Sequence, residues 1–434
     1  MSASFPARSD GRAAALAKAR RRMGTFFQPN QVLGRRNAIG CVALEITQRC
    51  NLDCTLCYLS ENSERVKDIP LAEVYRRIDE IAGQFGAPTA VQITGGDPTL
   101  RKREELVAIV RRVRERGLLP TLMTNGIKAT RDLLEELAQA GLNDVAYHVD
   151  MTQERKGYAS EEDLDAVREE YIERARGIPI AVIFNTTVCR ENFDDIPRLI
   201  RFFRRHADVV GMASFQLQAD TGRGVLRERD RVISLETVRA QIVEGAGTPI
   251  SWDTILIGHP ACHRIGITLE ANGNLYDLND DPAFFNRFLS DFQHVMLDRR
   301  DPRRAVGALL GELKRRPAWV GRAISFFLPK LWKMRRDLVA SRGRVHKLSF
   351  FVQNFMDATA LEPERIHACS FMVMTGNGPI SMCAHNARRD EFILKPVPLT
   401  TDAGPAIWNP LSGKTLPVLS GATQSPTHGE RELA

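Results

Sequence analysis

The chain has 434 residues, of which 43% are hydrophobic and 26% charged, and its net charge is +7. This length predicts two domains, and the composition allows a large buried core. The longest apolar runs are shorter than the roughly 18 residues of a membrane-spanning helix, and the basic N-terminus lacks the apolar core of a secretory signal. Eight cysteines in such a chain favour a reducing compartment, the cytoplasm, and metal ligation rather than disulfides.

The pattern of the chain changes twice. Residues up to about 220 alternate short β-branched runs with amphipathic stretches, which predicts repeated strand–helix units in a parallel sheet. In such sheets the ligand site lies at the C-terminal strand ends. The six predicted strands are 42–47, 89–94, 119–124, 144–149, 179–185 and 212–218. The predicted domains are a basic arm (1–38), a barrel (39–225), an extension (226–396) and a flexible tail (397–434).

Three cysteines, Cys50, Cys54 and Cys57, follow the first predicted strand in a C-x3-C-x2-C pattern. A tight loop can turn three thiolates toward one metal centre, whereas a structural zinc or a cubane cluster ordinarily takes four protein ligands. Because this loop offers no fourth ligand, a [4Fe–4S] cluster held here would keep one iron open. The alternatives are a zinc knuckle that lacks one ligand and unrelated buried thiols.

The cysteine pattern resembles the signature of the radical S-adenosylmethionine (SAM) enzymes, with Leu56 where the family usually has an aromatic residue and Tyr58 just after the last cysteine. The resemblance implies an α/β fold, a partial (β/α)6 barrel of the TIM type, here followed by a C-terminal α+β extension. It also implies that the open iron binds SAM. An electron from a reductant such as flavodoxin or ferredoxin then releases a 5′-deoxyadenosyl radical, which takes a hydrogen atom from the substrate.

Polar residues at later strand ends match further elements of that family. The run Gly95-Gly96-Asp97-Pro98 resembles the family's GGEP element, which binds the amino group of SAM, with Asp97 in place of Glu. Asp150 stands where the family often has a polar residue facing SAM, and the nearby His148 is interpreted as a core histidine. For each residue a plain scaffold role is the alternative. The predicted cofactor-binding residues are Gly95, Gly96, Asp97, Pro98, Asn125, Asp150, Asn185, Gln216 and Gln218.

Two stretches of the extension each place a cysteine before an apolar strand and an Asn-Gly turn, which predicts two hairpins. Cys262 opens the first, and Cys369 and Cys383 lie at the two ends of the second. The hairpins resemble the SPASM or twitch extensions that carry auxiliary iron–sulfur clusters. The resemblance implies that these cysteines hold a second cluster, and burial for packing is the alternative. The candidates for a fourth ligand are His263, His385 and Asp277, and the cysteines predicted to be core residues are Cys41 and Cys189.

A basic amphipathic segment, 303–345, lies between the two hairpins. Residues 301–350 hold 13 lysines and arginines against three acidic residues, and apolar side chains that include Trp319 and Trp332 alternate with them. This pattern is typical of a helix that lies in a membrane interface, and two prolines, one of them Pro329, are predicted to break it. A solvated basic face is the alternative. Nucleic acid fits less well, because tryptophan and phenylalanine at helical spacing favour lipid or core contacts.

The combination of Phe215-Gln216-Leu217-Gln218 with Thr221-Gly222-Arg223, the later Pro260-Ala261-Cys262 and the terminal C-x13-C is similar to the tetraether lipid synthase group. The resemblance implies an apolar small-molecule or lipid substrate and contact with the membrane periphery. The sequence lacks the archaeal pair of C-x2-C knuckles, which leaves other radical chemistry on a lipid or isoprenoid open. Two other functions are kept: a peptide-modifying maturase with an auxiliary cluster, and a non-enzymatic iron–sulfur or zinc protein that binds nucleic acid.

Overall fold

The computed structural model describes residues 9–224 and 228–418. The helices are α1 (Ser9–Met23), α2 (Leu71–Phe85), α3 (Arg103–Glu115), α4 (Arg131–Ala140), α5 (Asp165–Ala175), α6 (Ile196–Arg205), α7 (Leu235–Ala246), α8 (Pro282–Asp291), α9 (Pro302–Arg315), α10 (Ala318–Ala340), α11 (Pro363–His367), α12 (Met382–Ala387) and α13 (Asp390–Ile393). The strands are β1 (Cys41–Thr47), β2 (Ala90–Gly95), β3 (Leu119–Thr124), β4 (Asp144–His148), β5 (Ala181–Val188), β6 (Val210–Leu217), β7 (His263–Ala271), β8 (Asn274–Asp277), β9 (His346–Asn354), β10 (Phe371–Thr375), β11 (Gly378–Ser381), β12 (Val397–Thr401), β13 (Gly404–Trp408) and β14 (Thr415–Pro417).

Eleven strands form one sheet in the order β11-β10-β1-β2-β3-β4-β5-β6-β9-β7-β8. The six predicted strands are β1 to β6, and they run parallel with bounds shifted by a few residues. Every residue of β1 is buried, as expected for a parallel strand that is covered on both faces. The predicted α/β fold class with a C-terminal α+β region is therefore confirmed.

The extension supplies two further parallel strands to the same sheet. β10 pairs with β1, and β9 pairs with β6, so eight neighbouring strands are parallel. The sequence pattern did not predict β9, because its partner lies more than a hundred residues earlier and leaves no local trace. Both predicted hairpins are present, as β7–β8 and β10–β11, and lie at opposite ends of the sheet. The division at residue 225 stays a prediction.

Side chains, rather than strand hydrogen bonds, join the two ends of the parallel set. His263 Nε2 of β7 lies 2.6 Å from the hydroxyl of Ser370, which directly precedes β10. The His263 ring also packs against Phe371 of β10, at 5.0 Å between centroids, and is stacked on Phe351 of β9. The open sheet therefore curls until β9 and β10 approach each other, as in a barrel that stops short of full closure.

The chain after the barrel differs from the prediction of a flexible tail. Residues 397–418 contain the antiparallel sheet β12-β13-β14, so the prediction is wrong there. Val397 and Trp408 of this small sheet are buried in the main core cluster, which gives the sheet an apolar face to pack. The rest of the predicted tail, 419–434, lies outside the described residues, as do residues 1–8 of the predicted arm.

The basic segment folds as α9 and α10. Pro317 separates the two helices, but Pro329 lies inside α10, so the prediction of a break there is wrong. Trp319 is buried against Phe292, with 4.7 Å between ring centroids, and its Nε1 donates to Asp291. Trp332 is exposed. Among the helices of residues 9–224 and 228–418, none is both long enough and apolar enough to span a bilayer.

Candidate active site

The loop after β1 carries Cys50, Cys54 and Cys57, and all three side chains are half-buried. The backbone N–H of Thr55 donates to the carbonyl of Thr152 at 3.0 Å, which ties this loop to the segment after β4. Burial raises the pKa of the Cys54 thiol, and the charges of Cys57 and Cys50 raise it further. The three thiols therefore belong to one half-buried loop of eight residues, 50–57.

The donor set fits a cluster better than a single ion. In residues 9–224 and 228–418, no group of three or more histidine, cysteine, aspartate or glutamate side chains is arranged to hold one metal ion. A cubane cluster offers a separate iron to each of three thiols, so its ligands need not converge on one point. Cys50, Cys54 and Cys57, alike in chemistry and half-open to solvent, therefore suit a [4Fe–4S] cluster.

The paired glycines after β2 make room for the chain that enters the cysteine loop. A Cβ atom on Gly95 would lie 1.8 Å from the carbonyl oxygen of Thr47, and one on Gly96 would lie 2.0 Å from that of Arg49. The N–H groups of Gly96 and Asp97 donate to those same carbonyls. We expected the glycines to admit a ligand. They admit the backbone that leads to Cys50, and the ligand contact predicted for them stays a prediction.

Asp97 is fully engaged within the chain. One carboxylate oxygen accepts from the backbone N–H and hydroxyl of Thr99, and the other accepts from the Thr124 hydroxyl and the backbone N–H of Asn125, at 2.8 Å each. Asp97 is buried, and Pro98 beside it begins a short 3-10 helix. The carboxylate thus fastens the ends of β2 and β3 together, and its predicted contact with SAM stays a prediction.

Asn125 reaches the cysteine loop directly. Its Nδ2 donates to Asn51 Oδ1 at 2.7 Å and lies 3.9 Å from Cys50 Sγ, while its Oδ1 accepts from the backbone N–H of Ile127. A hydrogen bond to sulfur favours the thiolate form, and it lowers the pKa of Cys50 against the larger, opposite effect of burial. The structure therefore places Asn125, a predicted cofactor-binding residue, beside Cys50, a predicted metal ligand.

Asp150 and His148 form a pair after β4. His148 Nε2 lies 2.6 Å from Asp150 Oδ2 and 3.1 Å from the Thr187 hydroxyl, so the histidine is satisfied by hydrogen bonds, one of them to a predicted cofactor-binding residue. Burial disfavours the imidazolium, but the adjacent carboxylate outweighs burial and raises the pKa of His148. Asp150 also accepts from the backbone N–H groups of Thr152 and Thr187, and its charge raises the pKa of Cys54. The pair therefore borders the cysteine loop.

The remaining predicted cofactor residues lie on β5 and β6, farther along the same sheet edge. Asn185 is buried on β5 beside His148 in the strand register. Gln216 lies opposite Thr187 and Gln353, and Gln218 follows the end of β6, where its N–H donates to the carbonyl of Val188. Their contact with a cofactor stays a prediction.

Four side chains that were not among the predicted site residues hold the cysteine loop, and these are Tyr58, Arg155, Arg223 and Arg389. Tyr58 donates its hydroxyl to the carbonyl of Gly95 at 2.6 Å, and the guanidinium of Arg389 lies 4.6 Å above its ring. The backbone N–H of Arg223 donates to the carbonyl of Cys57, and its side chain pairs with Asp53 and Glu64.

Arg155 completes this frame. Its Nη2 donates to the carbonyl of Asn125 at 2.5 Å, and its charge lowers the pKa of Cys54. Tyr58 could have been found, because it adjoins the last cysteine. Arg155 and Arg389 come from distant segments and carried no pattern that marked them, whereas Arg223 ends the run Thr221-Gly222-Arg223 of the sequence analysis.

The three cysteines of the extension lie before β7 (Cys262) and at the two ends of the hairpin β10–β11 (Cys369 and Cys383). Burial raises the pKa of Cys383 to about 12, and the charges of Cys369 and Cys262 contribute. Cys262 Sγ accepts from Arg365 Nε at 3.3 Å, Cys383 Sγ accepts from the backbone N–H of Met356, and Cys369 donates its S–H to the carbonyl of Phe371. All three are buried, as are the predicted core residues Cys41 and Cys189.

The candidates for a fourth ligand have other partners. His263 contacts Ser370 through Nε2, and its Nδ1 is buried without a hydrogen-bond partner among the described residues. The His385 ring stacks on Phe392. Asp277, at the end of β8, accepts a hydrogen bond from the backbone N–H of Ser251. The predicted auxiliary cluster and its fourth ligand therefore stay predictions.

The model of the Radical SAM superfamily matches residues 44–203, which include Cys50, Cys54 and Cys57. Residues 44–203 are a radical SAM domain. The predicted cofactors of this domain, a [4Fe–4S] cluster and SAM, are those of its family. The tetraether lipid synthase grouping and the SPASM-like extension stay predictions.

Other proteins resemble parts of the chain. It is 28% identical over 186 residues to 7,8-dihydro-6-hydroxymethylpterin dimethyltransferase of Methanocaldococcus jannaschii, which covers 42% of this chain and 36% of that protein. It is 30% identical over 163 residues to PqqA peptide cyclase of Bradyrhizobium diazoefficiens, covering 37% and 42%. The structure of Streptococcus suis SuiB bound to precursor peptide SuiA has 16% identity and a TM-score of 0.37, covering 52% and 48%. The chain spans less than half the length of each of these proteins.

Proposed function

We propose that the chain is a radical SAM enzyme that acts on an apolar, lipid-like substrate. When bound, the [4Fe–4S] cluster and SAM together supply a 5′-deoxyadenosyl radical that abstracts a hydrogen atom from the substrate. The observation that carries this proposal is the set of three neighbouring thiols, Cys50, Cys54 and Cys57, within the radical SAM domain. Cofactors provide such chemistry, and the protein binds, orients and shields them.

The residues of the chain have distinct tasks in this proposal. Cys50, Cys54 and Cys57 hold the cluster, and Asn125 donates a hydrogen bond toward Cys50. The proposed SAM contacts are Gly95, Gly96, Asp97, Pro98, Asn125, Asp150, Asn185, Gln216 and Gln218. Asp97 acts through the backbone it fastens, because its own oxygens are already hydrogen-bonded. Arg223, after β6, and Arg389, of the extension, keep the loop in place.

A lipid substrate and a peripheral membrane contact form the finer part of the proposal. They are supported by the similarity to the tetraether lipid synthase group and by the exposed apolar side chains of α10, such as Leu328 and Trp332. An apolar substrate must be drawn from a membrane or a carrier, since its concentration in water is low. The proposed place of action is the cytoplasmic side of a membrane, with flavodoxin or ferredoxin as reductant.

A second candidate is a peptide-modifying enzyme. It is favoured by the 30% identity to a protein named as a peptide cyclase, over 37% of this chain. An auxiliary cluster at Cys262, Cys369 and Cys383 belongs to either candidate, and the cationic side chain of Arg365 beside Cys262 would favour the thiolate that a metal needs. A non-enzymatic iron–sulfur protein that binds nucleic acid is the third candidate.

Anaerobic reconstitution tests the proposed reaction. Protein loaded with iron and sulfide, reduced with dithionite and mixed with SAM should yield 5′-deoxyadenosine, and a Cys50→Ala variant should yield none. Equal, background yields from both proteins would contradict the enzyme proposal. Lipid extract and short peptides, offered separately, then distinguish the first two candidates by which one raises the yield.

A further inference from the structure

Helix α10 carries an apolar face that no described part of the chain covers. Ile324, Leu328 and Trp332 are 55%, 61% and 68% exposed, and they repeat at intervals of four residues, which places them along one side of the helix. Phe327 and Leu331 extend the same side and are also exposed. A soluble helix ordinarily turns such side chains inward, so this face has no ordinary structural explanation.

A different face of α10 already serves the core. Trp319, Phe326 and Met334 are buried, and Phe326 is stacked on Phe284 of α8 at 3.8 Å between ring centroids. Lys330, on the same side, pairs with Asp280. The helix is therefore anchored to the protein by one apolar stripe and presents a second one outward.

Cations flank the exposed stripe. Arg322, Lys333 and Arg336 are exposed, and no carboxylate in residues 9–224 and 228–418 lies within ion-pair distance of them. Arg335 lies over the exposed ring of Trp332, at 4.4 Å from its centroid. The nearest acid along the helix, Asp337, is engaged with the hairpin through Asn272, Asn274 and Tyr276.

We propose that this face, defined by Ile324, Phe327, Leu328, Leu331 and Trp332, docks on the surface of an anionic lipid bilayer. Aromatic and aliphatic side chains enter the headgroup region, while flanking lysines and arginines bind lipid phosphates. A second copy of the chain is a poorer occupant, because two-fold pairing of the same face would bring its uncompensated cations together. The role of this face as an entry route for an apolar substrate rests on the proposed function. Its binding to lipid does not, because that binding is measured without turnover.

Vesicle flotation tests the proposal with the full-length protein. Wild type should float with vesicles of equal parts phosphatidylglycerol and phosphatidylcholine, and bind phosphatidylcholine alone at least about tenfold more weakly. The double variant Leu328→Asp with Trp332→Asp should lose binding to both. Because both side chains are exposed, the variant should keep the circular dichroism and melting temperature of wild type. Leu416→Asp, at a residue of β14 that is 62% exposed, is the matched control and should bind as wild type does.

A charge-reversal variant distinguishes binding to anionic lipid from nonspecific hydrophobic adsorption. Lys333→Glu with Arg336→Glu should weaken binding to the anionic vesicles by about tenfold or more, since each cation near such a surface adds to the affinity. Flotation of the Leu328/Trp332 variant at the wild-type level would overturn the proposal. It would also be overturned if wild type sediments as a dimer, binds no vesicle, and becomes a monomer in that variant. The yield of 5′-deoxyadenosine is measured for the same proteins, so that loss of the reaction is distinguished from loss of lipid binding.

Discussion

The two sets of three cysteines differ in how the fold assembles them. Cys50, Cys54 and Cys57 come from one short loop and are half-buried, whereas the second set is buried and comes from two distant segments, Cys262 before β7 and Cys369 and Cys383 at the two ends of the hairpin β10–β11. In the second set Cys369 donates to a backbone carbonyl, and Cys262 accepts from an arginine. A loop can close on a cofactor after folding. A set drawn from distant segments exists only once the sheet has curled.

This difference gives the two sets different expected tasks. The first is open to solvent, lies at the C-terminal strand ends and is framed by polar groups, which suits a site that exchanges SAM and product. The second lies near the contact between His263 and Ser370, where the two ends of the sheet meet. A metal there would stabilise the closed sheet, because binding to the folded form alone adds to the free energy of unfolding.

The largest expected effect is the loss of all SAM cleavage in Cys54→Ala. Without this thiol the first cluster has two protein ligands, so we expect its iron to be lost and 5′-deoxyadenosine to fall to background. Iron content and product yield after anaerobic reconstitution measure both. Cys41→Ala, at a buried β1 cysteine, is the control and should keep both. Product formation by Cys54→Ala would show that the first set is not the cofactor site.

The next effect separates the second set from the first. We expect about eight irons per chain in wild type and about four in Cys383→Ala, because each cubane contains four. SAM cleavage should persist in this variant at a reduced rate, while unfolding should occur at a lower temperature. Iron and sulfide analysis, with thermal melts of the same samples, measures this. About four irons in wild type and none in Cys54→Ala would mean that the second set is only packed thiols.

Local patterns predicted the first set well and the second incompletely. The spacing of Cys50, Cys54 and Cys57 could be recognised because all three lie in one loop. Strands β1 to β6 could be predicted because the strand–helix unit repeats. β9 was missed and Arg389 was not singled out, because the partner of each lies more than a hundred residues away in the sequence. Helix α10 has one buried and one exposed apolar face, and Trp319 lies on the buried one. From the sequence we grouped Trp319 with Trp332, because helical spacing alone does not show which apolar face is buried.

A smaller effect is expected from adding one methyl group beside the first set. In Gly96→Ala the new Cβ would lie 2.0 Å from the carbonyl oxygen of Arg49, and neither backbone can yield without moving the loop toward Cys50. We expect a loss of stability of about 1–3 kcal/mol and lower iron retention on gel filtration. Gly307→Ala is the control, since nothing lies within 4 Å of its Cβ and alanine favours a helix. Equal iron retention in the two variants would contradict this role of Gly96.

The last expected effect is on stability alone and concerns the buried ion pair between β1 and the extension. Arg389 of the extension donates to both carboxylate oxygens of Glu45 on β1, at 2.9 and 3.0 Å, and both side chains are buried. Burial alone would raise the pKa of Glu45, but Arg389 and His385 outweigh it and lower that pKa to about 2. The carboxylate therefore stabilises the fold above its unfolded pKa, and this contribution is lost as the pH falls from about 4.5 toward 2.

Glu45→Gln should lower the free energy of unfolding at pH 7 by about 3 kcal/mol, because it leaves the Arg389 guanidinium buried without its anion. The difference from wild type should shrink as the pH is lowered through 4, since protonated Glu45 then resembles glutamine. Urea unfolding of iron-free protein at several pH values measures it without interference from cluster loss. A difference that is constant with pH would show that the contact between the two regions is held by packing rather than by this charge.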